Sequence, residues 1–228
     1  MSDCCTLILE TSTPYASLAT VTQGGRIEQR EFTSDRSHNA VLFSPLKELL
    51  DARRNSVIGL VLVGSGPGSY SGTRVGIAAA QGVAIACGCP AAAVPSILAV
   101  QSAQDGGACL AIGDARRGSF WTARVENSDT PEEPELTDAD GLTTKVQAAL
   151  AQGTSVVSFE DPARFPLPAA LGRQVRLEFP NAERLWRAWL SGSPRTRERW
   201  MARAPQPIYL KPPHITPAKR SWLVTPQP

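Results

Sequence analysis

Short apolar runs separated by polar turns predict three strands at the start of the chain. The run TLIL (6–9) ends at a polar stretch (10–14), and YASLATVT (15–22) alternates with a period of about two residues. Gly24 and Gly25 then lead into RIEQREF (26–32). Alternation that is bounded by turn residues is typical of half-buried strands, so we predict a meander of three strands.

The following segments predict a helix, a buried strand and a second helix. Apolar residues between 38 and 50 fall at helical spacing. The run VIGLVLV (57–63) is apolar throughout, as expected for a strand that is covered on both faces. A glycine-rich bend comes next, and TRVGIAAAQGVAIACG (73–88) predicts a helix that stops near Gly88 and Pro90.

The second half of the chain repeats this order. Two strands are predicted on either side of a polar turn (ACLAIG, 108–113, and SFWTARV, 119–125). A helix (142–152), a strand (154–159) and a helix (181–191) follow, the last with Asn181 as N-cap and Gly192 as its stop. The repeat predicts an N-terminal lobe (1–103) and a C-terminal lobe (104–203). A proline-rich tail (204–228) is predicted to be extended.

Composition places the chain among globular proteins. Of its 228 residues, 42% are hydrophobic and 19% charged, and its net charge is +2, which gives no strong field over the whole molecule. Five cysteines without a C-x-x-C pair predict buried structural thiols in a reducing compartment. The first residues lack the features of a signal peptide, and no apolar stretch is long enough to cross a bilayer, so we expect a cytoplasmic protein.

The glycine-rich bend GSGPGSYSG (64–72) resembles a phosphate cradle but fits neither common nucleotide motif. A P-loop needs a lysine after its last glycine, and here Arg74 is the only base. The dinucleotide fingerprint fails as well, because Ser69 stands where its third glycine belongs. We therefore favour a tight structural connection over intrinsic nucleotide binding, although amides at 69–73 could attract an anion.

The helix after the bend carries two rows of small residues at a spacing of four: Gly72, Gly76 and Ala80, and Ala78, Gly82 and Ala86. Glycine within a helix costs about 1 kcal/mol relative to alanine, so two of them indicate a packing requirement. Another helix can approach such rows closely. That partner is either the helix at 38–50 of the same chain or a helix of another subunit.

Several motifs in order resemble the bacterial TsaB family, also called YeaZ, over nearly the whole chain. The similar segments are LILETSTPYASLA, SHNAVLFSPLKELL, GSGPGSYSGTRVGIAAAQGVA, DARRG, FPNAERLWRAWL and PIYLK. The third is the most specific, since it matches G-P-G-S-[FY]-[ST]-G-x-R-x-G. Mild departures are Glu10, Ser71 and Thr73, where many members have Asp, Thr and Leu.

The resemblance implies an α/β protein of the actin-like or sugar-kinase-like class, with two βββαβα lobes of mixed sheets flanked by helices. It implies a non-catalytic subunit in the synthesis of threonylcarbamoyladenosine at position 37 of tRNA. The expected partners are a catalytic TsaD-like subunit and a TsaE-like ATPase, with a homodimer when the chain is free. The expected interface is helical, with residues His38, Leu42, Leu46, Arg74, Gly76, Ala79, Ala80, Gly82, Val83 and Ala86.

The same resemblance locates the cofactors in the partners. ATP, Mg²⁺ and metal are expected in the other subunits, and none on this chain alone. The TsaD metal site uses an H-x-x-x-H motif, whereas this sequence has only His38 and His214, far apart. We therefore expect no histidine metal site here.

An actin-like ATPase or M22-type peptidase acting alone is the alternative. Glu10 and Asp114 lie at corresponding turns, where fold relatives have acids near nucleotide and magnesium. No Ser-His-Asp or H-E-x-x-H arrangement is evident. The residues that could face a nucleotide or anion are Glu10, Thr11, Ser12, Gly68, Ser69, Ser71, Gly72 and Asp114.

A third hypothesis concerns RNA. Residues 173–203 hold eight arginines against three glutamates, interleaved with tryptophans that could stack on bases. For 184–190 we favour a helix with an apolar face packed inward and arginines at the surface. Contact with tRNA in an assembled complex stays open for Arg195, Arg197 and Arg199. The Asp114-Arg116-Arg117 cluster has a turn-forming role or a contact with a partner, and the sequence does not choose.

Overall fold

A computed structural model describes residues 4–34, 41–126 and 131–211. Within these residues the chain forms two five-stranded mixed sheets that are flanked by helices. His38, His214 and most of the proline-rich tail lie outside the described residues. None of the helices in the described ranges is long and apolar enough to cross a membrane.

The first sheet is formed by the N-terminal strands. Strands β1 (Cys4–Glu10), β2 (Tyr15–Thr22) and β3 (Ile27–Thr33) pair antiparallel, as the meander predicted. Strand β4 (Val57–Gly64) pairs parallel with β1, and β5 (Ala91–Val94) pairs parallel with β4. The resulting order is β3-β2-β1-β4-β5.

The second sheet repeats this arrangement. Strands β6 (Cys109–Asp114), β7 (Phe120–Val125) and β8 (Glu135–Thr137) are antiparallel neighbours. Strands β9 (Ser155–Ser158) and β10 (Arg176–Leu177) continue the sheet in parallel on the other side of β6. Its order, β8-β7-β6-β9-β10, is equivalent to that of the first sheet, which confirms the predicted duplication and fold class.

The helices form layers on both sides of the sheets. They are α1 (Phe43–Ala52), α2 (Tyr70–Cys87), α3 (Gln101–Gln104), α4 (Ala139–Ala151), α5 (Ala169–Gly172), α6 (Ala182–Ser191) and α7 (Pro194–Met201), with 3₁₀ turns at Ser96–Ala99 and Pro162–Arg164. Helices α1 and α2 share a core with one face of the first sheet, and α4 does so with one face of the second.

One hydrophobic cluster connects the two sheets. It includes Ile8 and Leu62 of the first sheet, Ala111 and Val157 of the second, and Leu185 of α6. Helix α6 belongs in sequence to the predicted C-terminal lobe, yet it packs on the first sheet. There the amide of Ala182 donates to Ser17 Oγ over 2.8 Å. The predicted boundaries at 103 and 203 stay predictions.

Two caps that the sequence predicted are confirmed. Gly88 ends α2 in the left-handed conformation, and the Asn181 side chain accepts from the Arg184 amide at the start of α6. The sequence interpretation missed β5, β8 and β10, which have two to four residues each. It also missed α7, although Ser193 and Pro194 are a typical helix start.

Cysteine burial is more varied than predicted. Cys5 and Cys109 are buried, whereas Cys4 and Cys89 are partly exposed and Cys87 is exposed. Burial raises the pKa of the Cys109 thiol to about 12. The interpretation as buried structural thiols therefore fits Cys5 and Cys109 only.

Candidate functional site: the glycine bend and the α1–α2 groove

The glycine bend connects β4 to α2 and is held by backbone hydrogen bonds. The Ser65 amide donates to Val94 O over 2.9 Å, and the Ser96 amide donates to Gly66 O over 2.9 Å. The Ser69 amide reaches Ser12 O over 2.6 Å, which brings the bend onto the turn after β1. A β-carbon on Gly68 would collide with that same carbonyl oxygen. The bend is therefore a packed connection that lies against the β1–β2 turn.

Glu10 is buried beneath this connection. Its Oε1 accepts from the Ser12 amide over 2.8 Å, and its Oε2 accepts from Ser96 Oγ over 2.8 Å. Ser96 Oγ in turn accepts from the Gly66 amide over 3.0 Å. A β-carbon on Gly64 would overlap the carboxylate of Glu10, so this glycine makes room for it. Burial raises the pKa of Glu10, because a charged carboxylate is poorly solvated there.

The residues predicted to face a nucleotide or anion divide into two groups. Glu10, Thr11, Ser12 and Gly72 are buried, so their side chains do not face open solvent. Gly68 and Ser71 are exposed, and Ser69 is partly exposed while its side chain caps α2 by accepting from the Gly72 amide. Four of the residues that were predicted to face a ligand are therefore buried, because the glycine bend covers Glu10 at the end of β1.

Asp114 occupies the equivalent position at the end of β6, and its environment is different. Its Oδ1 accepts from the Arg116 amide over 2.6 Å, and its Oδ2 pairs with Arg116 Nη1 over 3.0 Å. Arg116 and Arg117 have positive φ angles of 67° and 58°. Asp114 thus forms a turn, which is one of the two roles that the sequence left open, and the Arg116 side chain is exposed.

The two rows of small residues on α2 have different environments. Gly76 and Ala80 are buried, and a β-carbon on Gly76 would collide with the Thr11 hydroxyl. Gly82 is exposed, and a β-carbon there would have no neighbouring atom within 4 Å. The row of Gly72, Gly76 and Ala80 therefore packs within the chain, and the row of Ala78, Gly82 and Ala86 lies at the surface.

An apolar groove of about 480 Å³ runs between α1 and α2. We call it the α1–α2 groove, and its lining residues are Phe43, Leu46, Arg74, Val75, Ala78, Ala79, Gly82 and Val83. Phe43 is 57% exposed at its edge, which is a large exposure for an aromatic side chain. Exposed apolar surface of this kind is typical of an interaction site.

The groove contains only part of the predicted interface. Leu46, Arg74, Ala79, Gly82 and Val83 line it, and Ala86 is exposed one turn further along α2. Leu42, Gly76 and Ala80 are buried in the core, so they are not available to a partner and that part of the prediction is corrected. Phe43, Val75 and Ala78 were missed. The sequence signal that could have identified them was their position. Phe43 lies beside Leu42 and near Leu46 at the start of α1, and Val75 and Ala78 lie near Ala79 on α2.

Comparison with known proteins identifies the family. A family model described as "TsaD: tRNA N6-adenosine threonylcarbamoyltransferase" matches residues 31–159, more than half of the chain. The chain is similar to the tRNA threonylcarbamoyladenosine biosynthesis protein TsaB of Haemophilus influenzae, with 33% identity over 102 residues. The chain belongs to the TsaB/YeaZ family. The aligned region spans 42% of this chain and 42% of that curated relative.

Solved structures agree with the fold expected of this TsaB/YeaZ family member. YeaZ from Pseudomonas aeruginosa superposes with a TM-score of 0.64 at 22% identity, covering 92% of this chain and all of that one. A second structure from the same organism, described as an uncharacterized protein with similarity to peptidase YEAZ, gives the same values. At this identity the match establishes the fold alone.

The C-terminal P-I-Y-L-K motif of this family member lies across α2. We call residues 205–211 the C-terminal strap. Gln81 Nε2 donates to Pro205 O over 3.0 Å, and the Ile208 amide donates to Ser65 O over 2.9 Å. Lys211 Nζ then reaches Arg116 O over 3.1 Å. The strap therefore links α2 and the glycine bend to the turn after β6.

The predicted RNA-contact arginines also have different environments. Arg195 and Arg199 are exposed on α7. The Arg197 guanidinium donates from Nε to Trp189 O over 2.8 Å and from Nη2 to Leu190 O over 2.5 Å. Arg197 thus caps the C-terminus of α6. Its contact with RNA stays a prediction. Trp189 and Trp200 are buried with ring centroids 6.0 Å apart, consistent with a role in the core.

A second, larger cleft lies on the side of the molecule where the two sheets meet. Its volume is about 630 Å³, and Tyr15, Phe32, Phe179 and Arg184 are among the lining residues. The Tyr15 and Phe179 rings are in contact, with centroids 4.2 Å apart. The sequence interpretation did not find this cleft, because its walls come from segments more than 140 residues apart in the chain.

Proposed function

We propose that this chain is a non-catalytic subunit in the biosynthesis of threonylcarbamoyladenosine in tRNA. It binds a catalytic TsaD-like protein through the α1–α2 groove. The observation that carries the proposal is the groove itself, an apolar surface at which Gly82 leaves space for the backbone of another helix. The named relative, a tRNA threonylcarbamoyladenosine biosynthesis protein, supports the pathway.

The environment of Glu10 supports an accessory role over the ATPase alternative. Its two carboxylate oxygens are bonded to Ser12 and Ser96 beneath the glycine bend. A catalytic carboxylate of an ATPase would have to reach magnesium-bound phosphates, and this one is enclosed by its own chain. We propose that ATP, Mg²⁺ and any metal are bound by the TsaD-like and TsaE-like partners.

The remaining features of the proposal follow from partner binding. In the absence of the TsaD-like protein, the exposed apolar groove pairs with a second copy of the chain. Transfer RNA is contacted through the assembled complex, in which Arg195 and Arg199 of α7 add positive charge. This step of tRNA modification takes place in the cytoplasm, where the substrate tRNA is found.

The proposal is tested by mixing the purified chain with the TsaD-like protein of the same genome and measuring complex formation by size-exclusion chromatography. We expect a heterodimer, and Gly82→Arg is expected to abolish it because the long charged side chain fills the groove. Ala148→Arg is the matched control, since Ala148 is an exposed small residue on α4 of the other lobe.

Two results would contradict the proposal. The first is a heterodimer that forms equally well with wild type and Gly82→Arg, which would place the interface elsewhere. The second is micromolar binding of ATP–Mg²⁺ to the isolated chain in titration calorimetry, which would favour the ATPase alternative.

A further inference from the structure

Arg74 is the charged residue in the lining of the α1–α2 groove, and its surroundings hold it in place. Its guanidinium carbon lies 3.5 Å from the centroid of the Tyr70 ring and 5.4 Å from that of Tyr209. Nη2 also donates to the Tyr209 hydroxyl over 3.4 Å. Cation–π contacts of this kind orient an arginine without neutralising its charge.

Both rings are largely exposed, with Tyr70 at 69% and Tyr209 at 59%, so the stack stands at the surface beside the groove. Within the described ranges, no acidic side chain forms an ion pair with Arg74. An oriented guanidinium next to an apolar surface is complementary to a carboxylate, which it can bind through two parallel hydrogen bonds.

We propose that the Tyr70–Arg74–Tyr209 stack binds a carboxylate of the groove's occupant, and that the occupant is a different protein with an acidic residue at the end of an apolar helix. This inference rests on the proposed function, since it specifies the chemistry of the TsaD-like partner at the same groove. Tyr209 is a positioning residue, and the C-terminal strap has the role of holding it over Arg74.

A second copy of the chain is a poor source for this carboxylate. Helix α2 contains no aspartate or glutamate, so two α2 helices packed symmetrically would bring arginines together without a counter-charge. On α1, Glu48 already pairs with Arg30 over 3.4 Å and Asp51 pairs with Lys47 over 2.5 Å. Charge complementarity therefore favours the heterodimer over the homodimer.

The test compares the dissociation constants of the heterodimer and the homodimer for wild type, Arg74→Glu and Arg164→Glu, each measured at low and high salt. Arg164 is exposed in the 3₁₀ turn Pro162–Arg164, so its reversal is a control for the same change in net charge. We expect Arg74→Glu to weaken the heterodimer by at least about tenfold, to reduce its salt dependence, and to leave the homodimer no weaker.

Variants of the strap test the positioning role. Tyr209→Ala is expected to weaken the heterodimer about threefold with a reduced salt dependence, because Arg74 loses one ring. Tyr209→Phe keeps the ring and is expected to bind like wild type. Loss of affinity with an unchanged salt dependence would mean that Tyr209 has only a structural role and would overturn this part of the inference.

The outcomes separate the two proposals. If wild type does not bind the TsaD-like protein, the proposed function fails and this inference fails with it. If wild type binds and Gly82→Arg does not, but Arg74→Glu binds like Arg164→Glu, only the carboxylate inference fails. Equal weakening of heterodimer and homodimer by Arg74→Glu would also overturn it, because the effect would not depend on a partner's carboxylate.

Discussion

The Thr11 side chain packs against Gly76 and occupies the space that a β-carbon at position 76 would need. The Thr11 hydroxyl donates to Gly72 O over 2.8 Å, so one side chain fixes the end of β1 against the first turns of α2. Both residues are buried. This close contact places the turn after β1 directly beside the start of α2.

Alanine at the two central glycines of α2 is expected to have opposite effects. Gly76→Ala should lower the free energy of unfolding by about 1–3 kcal/mol, because its methyl group overlaps Thr11. Gly82→Ala should raise it by up to about 1 kcal/mol, since the site is open and alanine favours the helix. Urea unfolding of both variants checks this. Equal stabilities would mean that Gly76 is not needed for packing.

Glu10 is expected to make the free energy of unfolding depend on pH. Its folded-state pKa is raised above the ordinary value of 4.5, so the folded chain retains a proton that the unfolded chain releases. This contribution is present below pH 4.5 and is lost as the pH rises through the folded-state pKa. Glu10→Gln should therefore become more stable relative to wild type as the pH rises.

Urea unfolding of wild type and Glu10→Gln at several pH values between 4.5 and 8 measures this difference. Because a single proton is involved, the difference in free energy of unfolding between the two proteins can change by at most about 1.4 kcal/mol per pH unit. Glu160, whose pKa is also raised by burial, is present in both proteins and cancels in the comparison. A difference that is constant over this range would contradict the assignment.

Arginines two positions apart on α7 are expected to differ in their effect on stability. Arg197→Ala should cost about 1–3 kcal/mol, because it removes two charged hydrogen bonds to the last carbonyls of α6 and a contact with the Trp189 ring. Arg195→Ala should change stability by less than about 0.5 kcal/mol, as is usual for an exposed position. Thermal unfolding of the two variants is the measurement, and similar midpoints would argue against a capping role for Arg197.

The sequence was sufficient for the parts of the fold that depend on local pattern. Alternation gave β2 and β3, a continuous apolar run gave β4, and side-chain or glycine caps gave the ends of α2 and α6. Short elements such as β5 and β10 have two to four residues, which is too few to show a period. They form because neighbouring strands supply hydrogen-bond partners.

The candidate site was predictable only in part, for a related reason. The spacing of small residues on α2 indicated that another segment packs closely against this helix. Both rows have the same spacing, so the sequence could not show which row faces the core and which faces a partner. Contact with Thr11, 65 residues away in the sequence, decides that Gly76 faces inward, whereas Gly82 faces the groove. The stack of Arg74 on Tyr209 likewise joins residues 135 positions apart.

The sequence by itself determined the two-lobed order of elements, the helix caps and the motifs of the TsaB/YeaZ family, because these depend on residues close together in the chain. The tertiary structure decided which face of α2 is open, that Glu10 is enclosed under the glycine bend, and that Arg197 caps a helix. Each of these results depends on burial and on hydrogen bonds between distant segments, and only the folded chain brings those segments together.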